Sequence, residues 1–244
     1  MKVLDLFLRK QKQLAVLIDP DKTDDDQLRQ ITNSSVSAGV DYFFVGGSLL
    51  TSGSLDKCVK ILKENSDIPV ILFPGNTYQI SAKADAILFL SLISGRNADM
   101  LIGMHVIAAP YIKMSGLEVI PTGYMLIDSG QPTAVTYMSN SFPIPHDKND
   151  IAACTAMAGE MLGLRTIYMD AGSGAQKTVS EEMTDFVKRS VDVPVIVGGG
   201  IKDEFVLERI LKSGADIAVV GNKFESNPEL ILKFAETVKK INER

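Results

Sequence analysis

Three glycine turns carry the clearest chemical signal in this chain: Ala171-Gly172-Ser173-Gly174-Ala175, Gly198-Gly199-Gly200-Ile201-Lys202 and Gly221-Asn222-Lys223. Each follows a short apolar run. Glycine lets backbone N–H groups approach an oxyanion closely, and a helix starting just past such a turn adds a favourable dipole. A single turn of this kind also serves simply to end a strand. Three in succession describe a cradle for a phosphate group. Asp170, immediately before the first turn, is placed either to take a proton from a substrate hydroxyl or to sit as a solvated strand-end carboxylate.

A second cluster lies near the N-terminus, in Asp19-Pro20-Asp21-Lys22 and Gly46-Gly47-Ser48. A carboxylate and a hydroxyl on adjacent loops are hard oxygen donors, and Mg²⁺ accepts such a pair when substrate phosphate and water complete its octahedron. Taken alone, Asp19 and Asp21 read first as turn or N-cap residues ahead of a helix. The run Asp24-Asp25-Asp26 lacks a further aspartate at metal-binding spacing and reads as helix N-terminal charge. His105 and His146 are the only histidines; neither has a second His or Cys at ligand spacing, so both read as structural. Cys58 and Cys154 fall on helix-like faces and suggest neither a disulfide framework nor a metal cluster.

The elements that must position these residues follow from the apolar pattern. Eight short runs end in Gly, Asp or Pro, as buried parallel strands do: Leu14–Asp19, Tyr42–Gly47, Pro69–Phe73, Ala86–Leu92, Leu117–Pro121 (or the adjoining Tyr124–Ile127), Thr166–Asp170, Pro194–Gly198 and Ile217–Gly221. Amphipathic helices are expected at Asp24–Ala38, Ser54–Glu64, Lys148–Leu162, Ser180–Ser190 and Asp203–Ser213. That alternation is α/β with a parallel sheet, and eight strands favour closure into a (β/α)₈ TIM barrel, a single domain over residues 1–244. In such a barrel every strand C-terminus opens on one mouth, which gathers both clusters.

The segment from Pro74 to Asp85 opens with Pro-Gly-Asn and leaves little room for a crossover, so the third helix is expected to be short or missing. Residues Gly123 to Asp147, with Pro132, Pro143 and Pro145, read as an extended excursion that covers a site or forms a subunit contact.

The chain has 244 residues, 45% of them hydrophobic and 23% charged, with a formal charge of -5. That balance favours neither nucleic acid nor an anionic membrane surface as partner. No stretch of about 18 apolar residues and no export signal is apparent, so no membrane span is expected and a cytoplasmic location fits.

The motifs Asp19-Pro20-Asp21-Lys22, Val45-Gly46-Gly47-Ser48, Tyr168-Met169-Asp170-Ala171-Gly172-Ser173-Gly174, Val197-Gly198-Gly199-Gly200-Ile201 and Val220-Gly221-Asn222 together resemble the geranylgeranylglyceryl phosphate synthases. The similarity runs over nearly the whole chain, including Pro143-Ile144-Pro145 and the segment from Asp147 to Ala152. It implies a modified barrel whose third helix is replaced by an irregular segment. It also implies an ether-forming prenyl transfer in phospholipid biosynthesis, from geranylgeranyl diphosphate to the C3 hydroxyl of sn-glycerol 1-phosphate.

Carried over by position, Asp19 and Ser48 would hold Mg²⁺. Tyr168, Met169, Asp170, Ala171, Gly172, Ser173, Gly174, Gly198, Gly199, Gly221 and Asn222 would hold glycerol phosphate. Asp170 would be the base, although many members carry Glu there. The chain looks like the second main group of the family, which forms dimers or larger homo-oligomers, with Tyr137 near the place of an aromatic interface residue.

Lys22 and Arg96 are candidates for the diphosphate by charge and position. Residues Phe89 to Ile93 and Met100 to Ile107 are candidates for an apolar groove around the prenyl chain. The alternatives are a longer, heptaprenyl donor, a phosphate-binding barrel isomerase or synthase, and a non-catalytic binding barrel.

Overall fold

The computed structural model describes residues 2–51 and 53–243. A short helix α1 (Val3–Phe7) precedes strand β1 (Gln13–Ile18), and the alternation then proceeds through α2 (Asp25–Ala38), β2 (Tyr42–Val45), α3 (Leu55–Asn65), β3 (Val70–Leu72) and β4 (Ala86–Leu92). A π-helical turn, Asp99–Gly103, leads into α4 (Met104–Ser115), followed by β5 (Glu118–Leu126), α5 (Ala134–Ser139), α6 (Asn149–Met161) and β6 (Thr166–Asp170). The chain ends with α7 (Glu181–Ser190), β7 (Val195–Gly198), α8 (Glu204–Lys212), β8 (Ile217–Val220), α9 (Asn222–Ser226) and α10 (Leu230–Asn242).

The eight strands pair in sequence order, all parallel, and β8 returns to β1 with Gln13 opposite Ile217 and Val16 opposite Val220. Side chains of a strand alternate between faces, so each strand serves two apolar layers. Ala15, Tyr42, Phe44, Ile71, Leu88, Tyr124, Tyr168 and Ile196 fill the barrel interior. Their neighbours Val16, Phe43, Leu72, Ile87, Met125, Met169 and Val197 pack outward in the layer shared with the helices. A run buried on both faces has no polar alternation, which is why the strands read as continuous apolar segments.

The helix starts agree with simple capping chemistry. Asp24 accepts the N–H of Gln27 at 2.9 Å ahead of α2, Ser180 that of Met183 at 3.1 Å, and Asp203 that of Val206 at 2.8 Å. Asp24 is therefore the cap, one residue outside the helix that was expected to begin with it. The N-terminal end of the barrel is closed by α1, which no periodicity announced. Phe7 meets the Tyr42 ring edge-on with centroids 5.0 Å apart, and the Glu118 carboxylate accepts the N–H groups of Val3 and Leu4.

Two expectations about loops resolve differently. Among the described residues no helix joins β3 to β4, as the short gap required. The Gln79 side chain substitutes for it: its amide donates to Gly47 O at 2.8 Å and its oxygen accepts from Gly75 N at 3.1 Å, tying this loop to the one after β2. The excursion, by contrast, begins later than Gly123. Leu117–Pro121 and Tyr124–Ile127 are not rival strands, because nearly all of both lies in the nine-residue β5, paired to β4 through Tyr124. The remainder returns through an Ile127–Ile144 bridge and contains α5.

Candidate functional site

All strand C-termini open into one cavity of about 810 Å³, lined from both clusters by Asp19, Lys22, Ser48, Asp170, Gly172, Gly199 and Asn222 among others. Its floor is aromatic. Phe73 stacks on Tyr168 with centroids 5.0 Å apart, and Tyr124 leans on both. These rings stand where they do because Tyr124 and Tyr168 are in register on neighbouring strands and share inward parity.

Asp170 is the last residue of β6, only 8% exposed yet on the cavity wall. It is therefore not a solvated strand-end carboxylate. Its Oδ2 accepts a 2.6 Å hydrogen bond from the Tyr124 hydroxyl and its Oδ1 accepts from Gly172 N at 2.7 Å. Burial pushes the Asp170 carboxyl above the ordinary value, with those two hydrogen bonds opposing the shift. Burial, reinforced by the Asp170 charge, also raises the Tyr124 and Tyr168 hydroxyls, so both stay neutral donors at physiological pH. Tyr124 was not anticipated; its inward parity one strand from Tyr168 was the signal that could have found it.

The late rim is built from backbone. Gly172 and Gly199 have φ of 89° and 81°, values at which L side chains are strained. A Cβ on Gly199 would lie 2.6 Å from Gly172 N and 2.9 Å from Asp170 Oδ1, so the β6 and β7 loops touch through that glycine. A Cβ on Gly172 would meet Thr133 Oγ1 at 2.6 Å, which brings in the segment after β5. The β6 and β8 loops are linked in turn, Asn222 donating to Ser173 Oγ at 3.0 Å. Gly172, Ser173, Gly174, Gly199, Gly221 and Asn222 thus share one wall with Lys202, whose ammonium donates to Gln176 O at 2.9 Å.

Three positions expected here do not line that wall. Met169 and Ala171 are buried in the layer between strands and helices, and Gly198 turns inward, where the Tyr168 hydroxyl leaves it no room for a Cβ.

The early rim is built from side chains. The Asp19 carboxylate lies against the β2 loop, since a Cβ on Gly47 would come within 3.2 Å of it. Its Oδ1 accepts Asp21 N–H at 3.1 Å, and its Oδ2 pairs with the Lys22 ammonium at 3.0 Å. Glu225, in α9 just after β8, accepts Asp19 N–H at 3.2 Å. Burial raises its carboxyl, with the Asp19 N–H and the Lys22 charge acting against the shift. Glu225 was missed because nothing in the sequence distinguishes it from a solvated helix carboxylate. Asp21 is structural, holding Thr51 N at 2.6 Å and Thr51 Oγ1 at 2.9 Å.

The described residues contain no cluster of three His, Cys, Asp or Glu side chains suited to a metal. One carboxylate and the Ser48 hydroxyl on the same cavity wall fit a hard cation that draws most of its ligands from substrate and water, which is the habit of Mg²⁺. Asp19 already pairs with a cation, the Lys22 ammonium at 3.0 Å.

Beyond the floor the cavity becomes an apolar groove along Phe89, Leu90, Met100, Met104, Ala108 and Ile112. The groove was anticipated on the segment Met100 to Ile107, but Ile102, Val106 and Ile107 of that stretch point to solvent. His105 does line it, edge-on to Phe89 at 4.5 Å, and desolvation lowers its pKa so that the ring is neutral. His146 binds Thr178 O at 3.0 Å, in keeping with a structural role. Arg96 corrects its expectation: it is not on the cavity wall, and its guanidinium donates to Gly95 O at 2.8 Å.

A family model described as the PcrB family matches residues 7–240. A geranylgeranylglyceryl phosphate synthase from Spirosoma linguale is 52% identical over 239 residues, covering 98% of this chain and 96% of the relative. One from Methanothermobacter thermautotrophicus is 40% identical over 241 residues, covering 98% of each. Among solved structures, the (S)-3-O-geranylgeranylglyceryl phosphate synthase of Thermoplasma acidophilum, in complex with sn-glycerol-1-phosphate, superposes with a TM-score of 0.93 at 33% identity, covering 98% of this chain and 99% of that one.

Proposed function

Since this chain belongs to the PcrB family, we propose that it joins the C3 hydroxyl of sn-glycerol 1-phosphate to geranylgeranyl diphosphate, releasing diphosphate. The observation that carries this reading is the shape of the cavity: a glycine-walled polar end that holds Asp170 and a carboxylate–ammonium pair line one mouth, with an apolar groove leading away. A phosphate-binding isomerase has no use for the groove, and a non-catalytic lipid carrier has no use for the buried Asp170.

The glycine wall receives the glycerol phosphate, its N–H groups fixing the phosphate so that the C3 hydroxyl lies near Asp170. The groove takes the prenyl chain and leaves its diphosphate beside Asp19, Ser48 and Lys22. Bound Mg²⁺ would supply neutralisation of the charge that develops on the leaving diphosphate. The hydroxyl oxygen then forms a bond to the allylic carbon as the carbon–oxygen bond to diphosphate breaks, and the hydroxyl proton passes to Asp170. An elevated carboxyl pKa suits that acceptor, and the neutral Tyr124 hydroxyl holds it in place.

The purified protein, given Mg²⁺, labelled glycerol 1-phosphate and prenyl diphosphates of graded length, is expected to form an organic-extractable product, best with the geranylgeranyl donor. A heptaprenyl optimum would transfer the assignment to the longer chain, and no product with any donor would reject transferase activity. Chelation is expected to stop turnover and Mg²⁺ to restore it.

The π-helical turn exposes Ile102 and α4 exposes Val106, Ile107, Tyr111 and Met114, and the segment after β5 exposes Tyr137 (86%) and Phe142. An apolar face of this kind is best explained as the contact of a homo-oligomer. Val106→Glu together with Tyr111→Glu is expected to reduce the sedimenting mass to that of a monomer; an unchanged oligomer would place the contact elsewhere. Two free cysteines, and no helix among the described residues long and apolar enough to cross a membrane, agree with a cytoplasmic enzyme.

A further inference from the structure

We propose that Lys22 is a placeholder for the divalent cation: its ammonium neutralises Asp19 in the empty enzyme and moves onto the diphosphate when metal and diphosphate bind, so that each recruits the other. This rests on the reading of Asp19 as a metal ligand.

The geometry of the turn carries the inference. Asp19 Oδ2, the oxygen not committed to Asp21 N–H, is the one that Lys22 occupies at 3.0 Å. A metal approaching that oxygen must displace the ammonium. The root of Lys22 cannot follow, because its own N–H donates to Asp19 O at 3.0 Å and the Thr23 hydroxyl donates to the same carbonyl at 3.1 Å. Only the four-carbon stem is free to swing. The side chain is 48% exposed, against 15% for Asp19, and both line the cavity.

Charge gives the swing a direction. Lys22 faces the carboxylates of Asp19 and Glu225. Once a divalent cation takes its place, the ammonium is repelled, and the nearest new anion is the diphosphate that shares the metal. Lysine suits this exchange because its charge is compact and its stem flexible, whereas a guanidinium favours a fixed planar pairing. The metal alone must compete with Lys22; the metal with diphosphate need not. By linkage, diphosphate then binds more tightly with metal present.

Mn²⁺ binding followed by electron paramagnetic resonance, with and without inorganic diphosphate, tests the exchange independently of turnover. Lys22→Met is expected to bind Mn²⁺ alone about fivefold more tightly than the unaltered protein, the upper size for a partly exposed ion pair. Diphosphate should then enhance Mn²⁺ binding by a smaller factor in the variant. Lys22→Arg, which keeps a cation on Asp19, should leave Mn²⁺ binding alone as weak as before. If Lys22→Met binds Mn²⁺ alone no more tightly, or gains as much from diphosphate, the placeholder role is wrong while the metal site stands. If no protein binds Mn²⁺ even with diphosphate, the metal reading fails and takes this inference with it.

Discussion

The two sides of the cavity mouth are made by opposite means. The late rim, after β6, β7 and β8, presents backbone, and its defining side chains are absent ones: Gly172 and Gly199 approach their neighbours so closely that a methyl group would collide. The early rim, after β1 and β2, presents Asp19, Lys22 and Ser48 side chains, with Glu225 accepting the Asp19 N–H. Each half is therefore broken in its own way, by removing a functional group on one side and adding a carbon on the other.

The largest effect is expected at Asp19. Asp19→Ala removes the carboxylate proposed to hold the metal, and a loss on the order of 10²–10³-fold in kcat is expected, the size seen when one electrostatic stabiliser is removed. Steady-state rates over a range of Mg²⁺ decide it; retained Mg²⁺-dependent activity would remove Asp19 from the metal site.

Asp170, at the end of β6 on the late rim, comes next. Asp170→Asn is expected to lower kcat by about 10²-fold or more, as loss of a general base does. In the unaltered protein the rate should rise with pH through a carboxyl lying above the ordinary range, because burial raises it, and that limb should vanish in the variant. The sign for stability is opposite. A carboxyl whose folded pKa exceeds its unfolded value contributes stability below the unfolded pKa and loses it as pH rises through the folded one. Asp170→Asn should therefore match or exceed the unaltered protein in Tm near pH 7.5, and the advantage should shrink toward pH 4. A full-rate variant would exclude the base role.

Gly199→Ala should act more selectively. The added methyl meets Gly172 N and Asp170 Oδ1 at a φ costing about 1–2 kcal/mol in its own right, so glycerol phosphate binding should weaken by about tenfold. Calorimetric titration with glycerol 1-phosphate measures it, and unchanged affinity would show that the loop does not form the cradle. The smallest effect belongs to Ser173→Ala. This change removes the exposed contact with Asn222 between two glycine loops and should raise the KM for glycerol phosphate only about threefold.

The two rims also differed in how far they could be read from the chain. The late rim was legible because glycine after an apolar run either ends a strand or opens the backbone to an anion, and three such turns at the ends of parallel strands must converge. Asp19 was legible only as a turn residue until its place beside Ser48 was given meaning by resemblance. Elements whose role depends on direction were hidden. Tyr124 lay inside a run divided into two rival strands, and its contact with Asp170 depends on strand register. Arg96 and Lys22 carried equal charge at comparable loop positions, yet one folds back on its own carbonyl and the other faces the cavity. Helix α1 is too short to show a repeat, and its role as a plug depends on packing with Tyr42 and Glu118, which are far from it in sequence.

The two rims are proposed to bind different substrates. Calorimetric titration of the unaltered protein, Asp19→Ala and Gly199→Ala, each with glycerol 1-phosphate and separately with inorganic diphosphate plus Mg²⁺, tests it most directly. Asp19→Ala is expected to lose diphosphate and keep glycerol 1-phosphate, and Gly199→Ala to bind glycerol 1-phosphate about tenfold more weakly and keep diphosphate. Loss of the same ligand in both variants, with the other ligand unaffected, would contradict the division.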